Sequence, residues 1–165
     1  MLPSFNLSLF QWLFVARRAV RLGLFWSLFI VTAGLASCVI NYAADRQKLN
    51  VRQTHGRCLV WGRPAEVIRA EYQLTSGQRT SGLLLVSGYW GVARHFHYVP
   101  ELLLAFLWSL PALFHNVMPY TYALYLPCLL IHRTFRDDTK CREKYGAYWE
   151  QYCRLVPYKM IPYVF

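Results

Sequence analysis

Acidic residues are scarce: 8 Asp and Glu stand against 18 Lys and Arg, a formal charge of +10 over 165 residues. The five cysteines, Cys38, Cys58, Cys128, Cys141 and Cys153, form no Cys-x-x-Cys pair and no zinc-like Cys/His spacing, so no metal site is expected. Their odd number, without a framework, argues against a disulfide-stapled secreted domain. No G-x-G-x-x-G follows a strand-like segment, which excludes a Rossmann dinucleotide site. The first twenty residues, MLPSFNLSLFQWLFVARRAV, lack a charged n-region and a small-residue cleavage site and do not read as a signal peptide. No internal repeat or low-complexity tract is present.

Apolar and aromatic residues are abundant instead, 56% and 17%, with a mean hydropathy of +0.21. That balance points to a membrane protein with polar connections, one domain or part of one. The cations lie between apolar runs, where they mark cytoplasmic sides of membrane spans or meet a phosphorylated ligand; nucleic acid is not expected. Residues 4–16 are apolar but short for a span of about 20 residues, and Arg17, Arg18 and Arg21 close them. Leu22 to Ala44 is uncharged and is the clearest span; Ala33, Gly34, Ala36 and Ser37 allow close helix packing there. Cys38 and Cys128 sit inside apolar runs and read as small core residues. Beyond the span, Lys48 and Arg52 are spaced i, i+4 and share one helical face. They read either as snorkelling interfacial cations or as a pair aimed at one phosphate.

Thr54 to Ser81 is the most polar part, with strand-like alternation at Cys58–Trp61 and Glu66–Thr75 around turn signals. It reads as a compact loop or small hairpin. Leu83 to Tyr98, LLLVSGYWGVARHFHY, starts apolar, breaks at Gly88 and Gly91, and ends in a cluster of Arg94, His95, His97 and Tyr98. Taken alone it reads as a kinked or re-entrant membrane helix with a basic end, and its glycines would let a ligand approach closely. Pro100 suits the start of a new helix through Phe114, with a kink at Pro111. Tyr120 to Ile131 forms a second apolar helix, and the two suggest a helical hairpin in the membrane. From His132 the character changes, and Arg133 to Tyr152 reads as an amphipathic helix interrupted at Gly146.

Three stretches carry a specific resemblance: GRCLVWGRP (56–64), LLVSGYWGVARHFHYVPELL (84–103) and HRTFRDDTKCREKYGAYWEQYCRLVPYKMIPYVF (132–165). Their G-x-W-G-x-x-R-H-x-x-Y and R-D-x-x-x-C-x-x-K-Y-G patterns resemble the C-terminal part of the sterol reductase family. That family includes the delta-14 and delta-7 sterol reductases and the lamin B receptor. The VARHFHYVPE form is most similar to the delta-7 branch, especially its plant-type members. Many relatives have Pro at the position of Phe96 and Asn at that of His97, and often His-Pro where this chain has Arg18-Ala19.

The resemblance implies an all-α, multi-span membrane protein in the endoplasmic reticulum, with this chain as the C-terminal portion of a bundle of roughly ten helices, each of about 20 residues. The N-terminal spans that help form the sterol cavity would be absent. It implies reduction of the sterol C7–C8 double bond with NADPH, held in a pocket open to the cytosol. A delta-14 reductase, or an incomplete membrane scaffold that keeps the cofactor site, is the alternative. Implied cofactor contacts are Lys48, Arg52, Leu85, Trp90, His97, Tyr98, Arg133, Asp137, the run Cys141, Arg142, Glu143, Lys144 and Tyr145, and Tyr152. Tyr98 is also the candidate proton donor, since protonating an alkene carbon needs a positioned acid in a dry cavity. Arg94 and His95 would orient the pocket or touch phosphate, and Glu101 would either serve it or complement a helix dipole. His55, His115 and His132 read as loop or interface residues. A sterol, the lipid bilayer and other enzymes of sterol synthesis are the implied partners.

Overall fold

The computed structural model describes Leu13 and residues 21–73, 78–115 and 117–164. The expectation for residues 4–16 and the Arg18-Ala19 departure fall outside the described residues. The chain divides into two compact units, Met1–Asn41 with Pro100–Ile131, and Tyr42–Val99 with His132–Phe165.

The first unit is helical. Helix α1, Gly23–Gln53, starts at a left-handed Gly23 (φ 75°). At about 1.5 Å per residue it is longer than the hydrocarbon core of about 30 Å. Among the described residues it alone has the length and hydropathy to cross a membrane, and its charged end, from Asp45, extends past the uncharged stretch. Ser37, Ala44 and Val51 are buried at seven-residue steps, two turns apart on one helical stripe. Cys38 lies about 100° off that stripe and is exposed, as is Cys128, so neither is the small core residue expected. Close packing does occur at Gly34, where an added Cβ would sit 3.7 Å from Leu104 Cδ1.

Leu104 belongs to α3, Tyr98–Ser109, which follows α2, the short helical turn Tyr89–Val92 of the second unit. Pro100 is the third residue of α3 rather than its first; a missing N–H is harmless anywhere in the first turn. The chain tightens to a 3₁₀ helix at Leu110–His115, where Pro111 stands, and a second 3₁₀ turn, Met118–Tyr120, leads into α4, Thr121–Tyr145. The Phe106 and Tyr120 rings meet at 6.2 Å. No helix boundary falls at His132: α4 runs on through it with Pro127 inside, because a change from apolar to charged side chains alters a helix's surroundings and not its backbone.

The second unit corrects the all-α expectation, since it contains two small antiparallel sheets. Strands β1 (Leu59–Val60) and β2 (Arg63–Pro64) flank a turn at Trp61 and Gly62, both left-handed (φ 51° and 79°), as a type I′ hairpin requires. Strands β3 (Val67–Gln73) and β4 (Arg79–Leu85) pair from Val67↔Leu85 to Gln73↔Arg79. Leu83–Leu85 is therefore the end of a strand, not a membrane helix; a short apolar run fits either, and here the partner strand decides. Gly88 and Gly91 also serve packing. A Cβ on Gly91 would strike the Val86 carbonyl, and one on Gly88 (φ 67°) the Gln47 amide. After α4 a left-handed Gly146 (φ 52°) turns the chain into α5, Ala147–Leu155. One core groups Val51, Val60, Leu85 and Trp90; another groups Ile68, Trp149, Tyr152 and Val156.

Candidate functional site

The second unit encloses a cavity of about 410 Å³ between the charged end of α1, the end of β4, the 90–98 segment, the polar half of α4 and α5. Its wall is set by Trp90, only 4% exposed. The indole Nε1 donates to Ala44 O at 2.9 Å, and the Tyr152 hydroxyl donates to Trp90 O at 3.3 Å. Beside it, Gln47 Oε1 accepts from the Tyr89 N–H at 3.0 Å, which fixes the turn that presents the ring. Leu85 completes an apolar surface next to Trp90.

Over that surface lies Lys48, its Nζ 3.7 Å from the Trp90 ring centroid. Burial, and then the charge of Arg52, lowers the Lys48 pKa to about 8. Lys48 is thus a cation held in a partly desolvated place beside a second cation, a position that an anionic ligand would relieve. Arg52 is exposed and lines the same cavity.

The polar edge is a stack of rings. His95 lies parallel to Tyr98 (5.3 Å, 2°), and His97 is 4.1 Å from Tyr98 and 5.2 Å from Trp90. Burial is the main cause that lowers both histidines to about 4, so both are neutral at pH 7. His97 Nδ1 is buried with no hydrogen-bond partner among the described residues. Such a group in a cavity wall is a ready contact for a ligand's polar atom. Tyr98 is 3% exposed, and the Arg133 guanidinium stands 5.9 Å from its ring.

On α4, Arg133 Nε and Asp137 Oδ2 pair at 3.7 Å, one turn apart. Cys141 and Tyr145 follow at the same spacing and also face the cavity. Burial first, then Asp137 and Asp138, pushes the Cys141 thiol up, so it stays protonated at pH 7. Tyr152 is likewise pushed up, chiefly by burial, and remains a phenol.

Of the implied contacts, Lys48, Arg52, Leu85, Trp90, His97, Tyr98, Arg133, Asp137, Cys141, Tyr145 and Tyr152 are brought together around this one cavity. Three are not. Arg142 and Glu143 are exposed and line no described cavity, and Lys144 faces a neighbouring one. Helical rotation explains the split: successive residues diverge by about 100°, so a contiguous run cannot all face one ligand.

Arg94 lines the cavity but is committed elsewhere. Its guanidinium is 3.3 Å from Asp138 Oδ1 and 3.3 Å from Pro157 O, and it also meets Cys153 Sγ. Asp138 in turn accepts from Trp149 Nε1 at 3.0 Å. Main-chain bonds Arg94 N→Tyr158 O (3.1 Å) and His95 N→Lys159 O (2.8 Å) hold the tail against this segment. Arg94 therefore orients the wall. Lys140, Trp149, Leu83 and Leu84 also line the cavity and were not anticipated. Lys140 was legible, since residues 133, 137, 140, 141 and 145 make one helical face; Trp149, beyond the Gly146 break, gave no such signal. His55 and His132 are exposed, and Glu101 lies in the first turn of α3. Among the described residues no group of three His, Cys, Asp or Glu could hold a metal ion.

The ergosterol biosynthesis ERG4/ERG24 family matches residues 8–165. The chain is 48% identical over 153 residues to a 7-dehydrocholesterol reductase of Arabidopsis thaliana, covering 93% of this chain and 35% of that protein. It is 34% identical over 155 residues to a 7-dehydrocholesterol reductase of Xenopus laevis, covering 94% and 33%. It is 40% identical over 136 residues to a Delta(14)-sterol reductase of Methylotuvimicrobium alcaliphilum, covering 82% and 30%. The chain thus spans about a third of the length of the curated relatives it matches.

Proposed function

The chain belongs to the ergosterol biosynthesis ERG4/ERG24 family of sterol reductases, and we propose that it is the NADPH-binding portion of an enzyme that reduces the C7–C8 double bond of a sterol. Its place is a multi-pass protein of the endoplasmic reticulum membrane. The observation that carries the reading is the single cavity joining two cations, Lys48 and Arg52, to the apolar wall of Leu85 and Trp90 and to the unpartnered His97 Nδ1.

The residues fit the cofactor. Lys48 and Arg52 would hold phosphate, Trp90 and Leu85 would lie against its rings, and His97 would meet a polar substituent. When bound, NADPH supplies the hydride. The chain's own part is to exclude water and to hold a proton. Trp90, Leu85 and Tyr98 are each buried to 5% exposure or less, which keeps the wall dry. Tyr98 is the proposed proton donor: its ring is held against those of both His95 and His97. Both histidines are uncharged at neutral pH, so neither competes with Tyr98 as a cation.

Identity to the Arabidopsis protein over nearly the whole chain favours C7–C8 reduction. The match to a Delta(14)-sterol reductase supports a second reading, in which the C14–C15 double bond is reduced. The test supplies the full chain in nanodiscs with NADPH and sterols carrying one or the other double bond, with products read by mass spectrometry. Loss of the C7–C8 double bond is expected. Loss of only the C14–C15 bond would transfer the assignment, and saturable NADPH binding without turnover of either sterol would identify a scaffold that keeps the site. Arg52→Ala is expected to weaken NADPH much more than NADH; equal weakening would remove phosphate recognition from that residue.

A further inference from the structure

A second cavity, of about 780 Å³, adjoins the first. The two share Arg52, Leu83 and Tyr145 in their walls, and both volumes fall in the range of ligand pockets. Its charge is of one sign: Arg52, Arg57, Arg69 and Lys144 line it and no carboxylate does, whereas the first cavity holds Asp137 among its cations. Arg52, Arg57 and Arg69 have no ion-pair partner among the described residues. Glu71 shares the exposed face of β3 with Arg69, yet lies neither in the lining nor within ion-pair distance. At the junction the Tyr72 and Tyr145 rings meet edge to face at 5.2 Å, with Lys144 Nζ 4.3 and 5.1 Å from their centroids. Gly82 makes room for them, since a Cβ there would stand 3.3 Å from both rings.

We propose that this cavity is a phosphate site, built by Arg57 and Arg69 with Lys144, for the 2′-phosphate at the adenosine end of the dinucleotide. The two tyrosine rings form an apolar ledge for the adenine between the cavities. The proposal rests on the reading that the first cavity takes the rest of NADPH, and it assigns cofactor selectivity to residues of the loop and hairpin, outside every implied contact except Lys144 and the shared Arg52. The physical reason is that guanidinium groups pair bidentately with phosphate, and NADH lacks that group.

Binding to the full chain in nanodiscs, followed by nicotinamide fluorescence and by competition with 2′-AMP, tests it. Arg57→Gln and Arg69→Gln change exposed side chains and keep the backbone. Each is expected to weaken NADPH about tenfold, the size of one charge-assisted hydrogen bond, and to change NADH less than about twofold on the same basis. 2′-AMP should compete with NADPH on the wild type better than 5′-AMP. An unchanged NADPH-to-NADH affinity ratio in both variants would overturn the site. A lipid headgroup is the other source of phosphate: if phosphatidate bound the wild type but not Arg69→Gln while NADPH bound both equally, the nucleotide assignment would fall. Wild-type protein that bound 2′-AMP through Arg69 but no dinucleotide would sink the cofactor reading and leave the phosphate site standing.

Discussion

In the first unit the hydroxyls of Ser27, Thr32 and Ser37 each donate to a carbonyl four residues back on α1, whereas in the second unit Trp90, Arg94 and Tyr152 reach groups 44 to 63 residues away. The apolar helix satisfies its polar atoms within its own backbone, so side chains are left to pack. The polar unit satisfies its atoms between elements, so each bond also fixes the position of a cavity wall. The lesson is that the site's geometry depends on a few long-range polar ties, and that breaking one should cost far more than breaking a local bond on α1.

Arg94→Met is the largest test of that contrast. The Arg94 and Asp138 side chains are 7% and 19% exposed, and removing one partner of a buried pair costs about 3–5 kcal/mol because the other charge is stranded. The Pro157 carbonyl loses its donor as well. Denaturant unfolding of the chain in detergent, followed by tryptophan fluorescence, should show that loss, together with reduced NADPH binding. Ser37→Ala on α1 should change little by the same assay, because it removes only a local bond to Ala33 O. Similar costs for the two would erase the distinction between the units.

These ties explain what the sequence could and could not reveal. The amphipathic face of α4 was legible from spacing alone, as were the long apolar stretch of α1 and the break at Gly146. Hairpin alternation at Glu66–Thr75 was legible too, yet the following Leu83–Leu85 was not, because strand and buried helix share a short apolar run and the pairing with Val67–Arg69 is set from outside it. The glycines at 88 and 91 pointed to an unusual backbone. What presses on them, Gln47 and the Val86 carbonyl, is in one case 41 residues distant. Arg94 was left between orienting and binding roles because its partners lie on α4 and in the tail. Arg57 and Arg69 carried no signal of their own in the sequence; it is the fold that places them on one cavity with Arg52.

The contrast sharpens within α1, whose charged end, from Asp45, carries Lys48 in the second unit. Lys48 has a pKa of about 8, and it must be protonated to attract phosphate. Below pH 8 the free site already carries the charge, so NADPH affinity should be flat. Above pH 8 a proton must be taken up on binding, and affinity should fall by up to about tenfold per pH unit. Titrations from pH 6.5 to 9.5 check this, with Lys48→Met as the comparison: its affinity should be lower at pH 7 and lack the alkaline fall. A wild-type profile that stays flat to pH 9.5 would mean that Lys48 does not meet the anion.

The smallest effect, and one of opposite sign, is expected at Gly34. It lies inside α1, where Gly is less favourable than Ala by about 0.5–1 kcal/mol. An added Cβ would stand 3.7 Å from Leu104 Cδ1, an ordinary van der Waals contact. Gly34→Ala should therefore raise stability by up to about 1 kcal/mol. Gly91→Ala should lower it by about 1–3 kcal/mol, the scale of overpacking, because its Cβ meets a main-chain carbonyl that cannot turn away. Unfolding of both variants under one set of conditions measures the pair. The same substitution thus probes whether a glycine is held by side chains that can yield, as on α1, or by backbone that cannot, as beside Trp90. If Gly34→Ala destabilised as much as Gly91→Ala, the packing of α1 against Leu104 would be as exacting as the wall of the cavity.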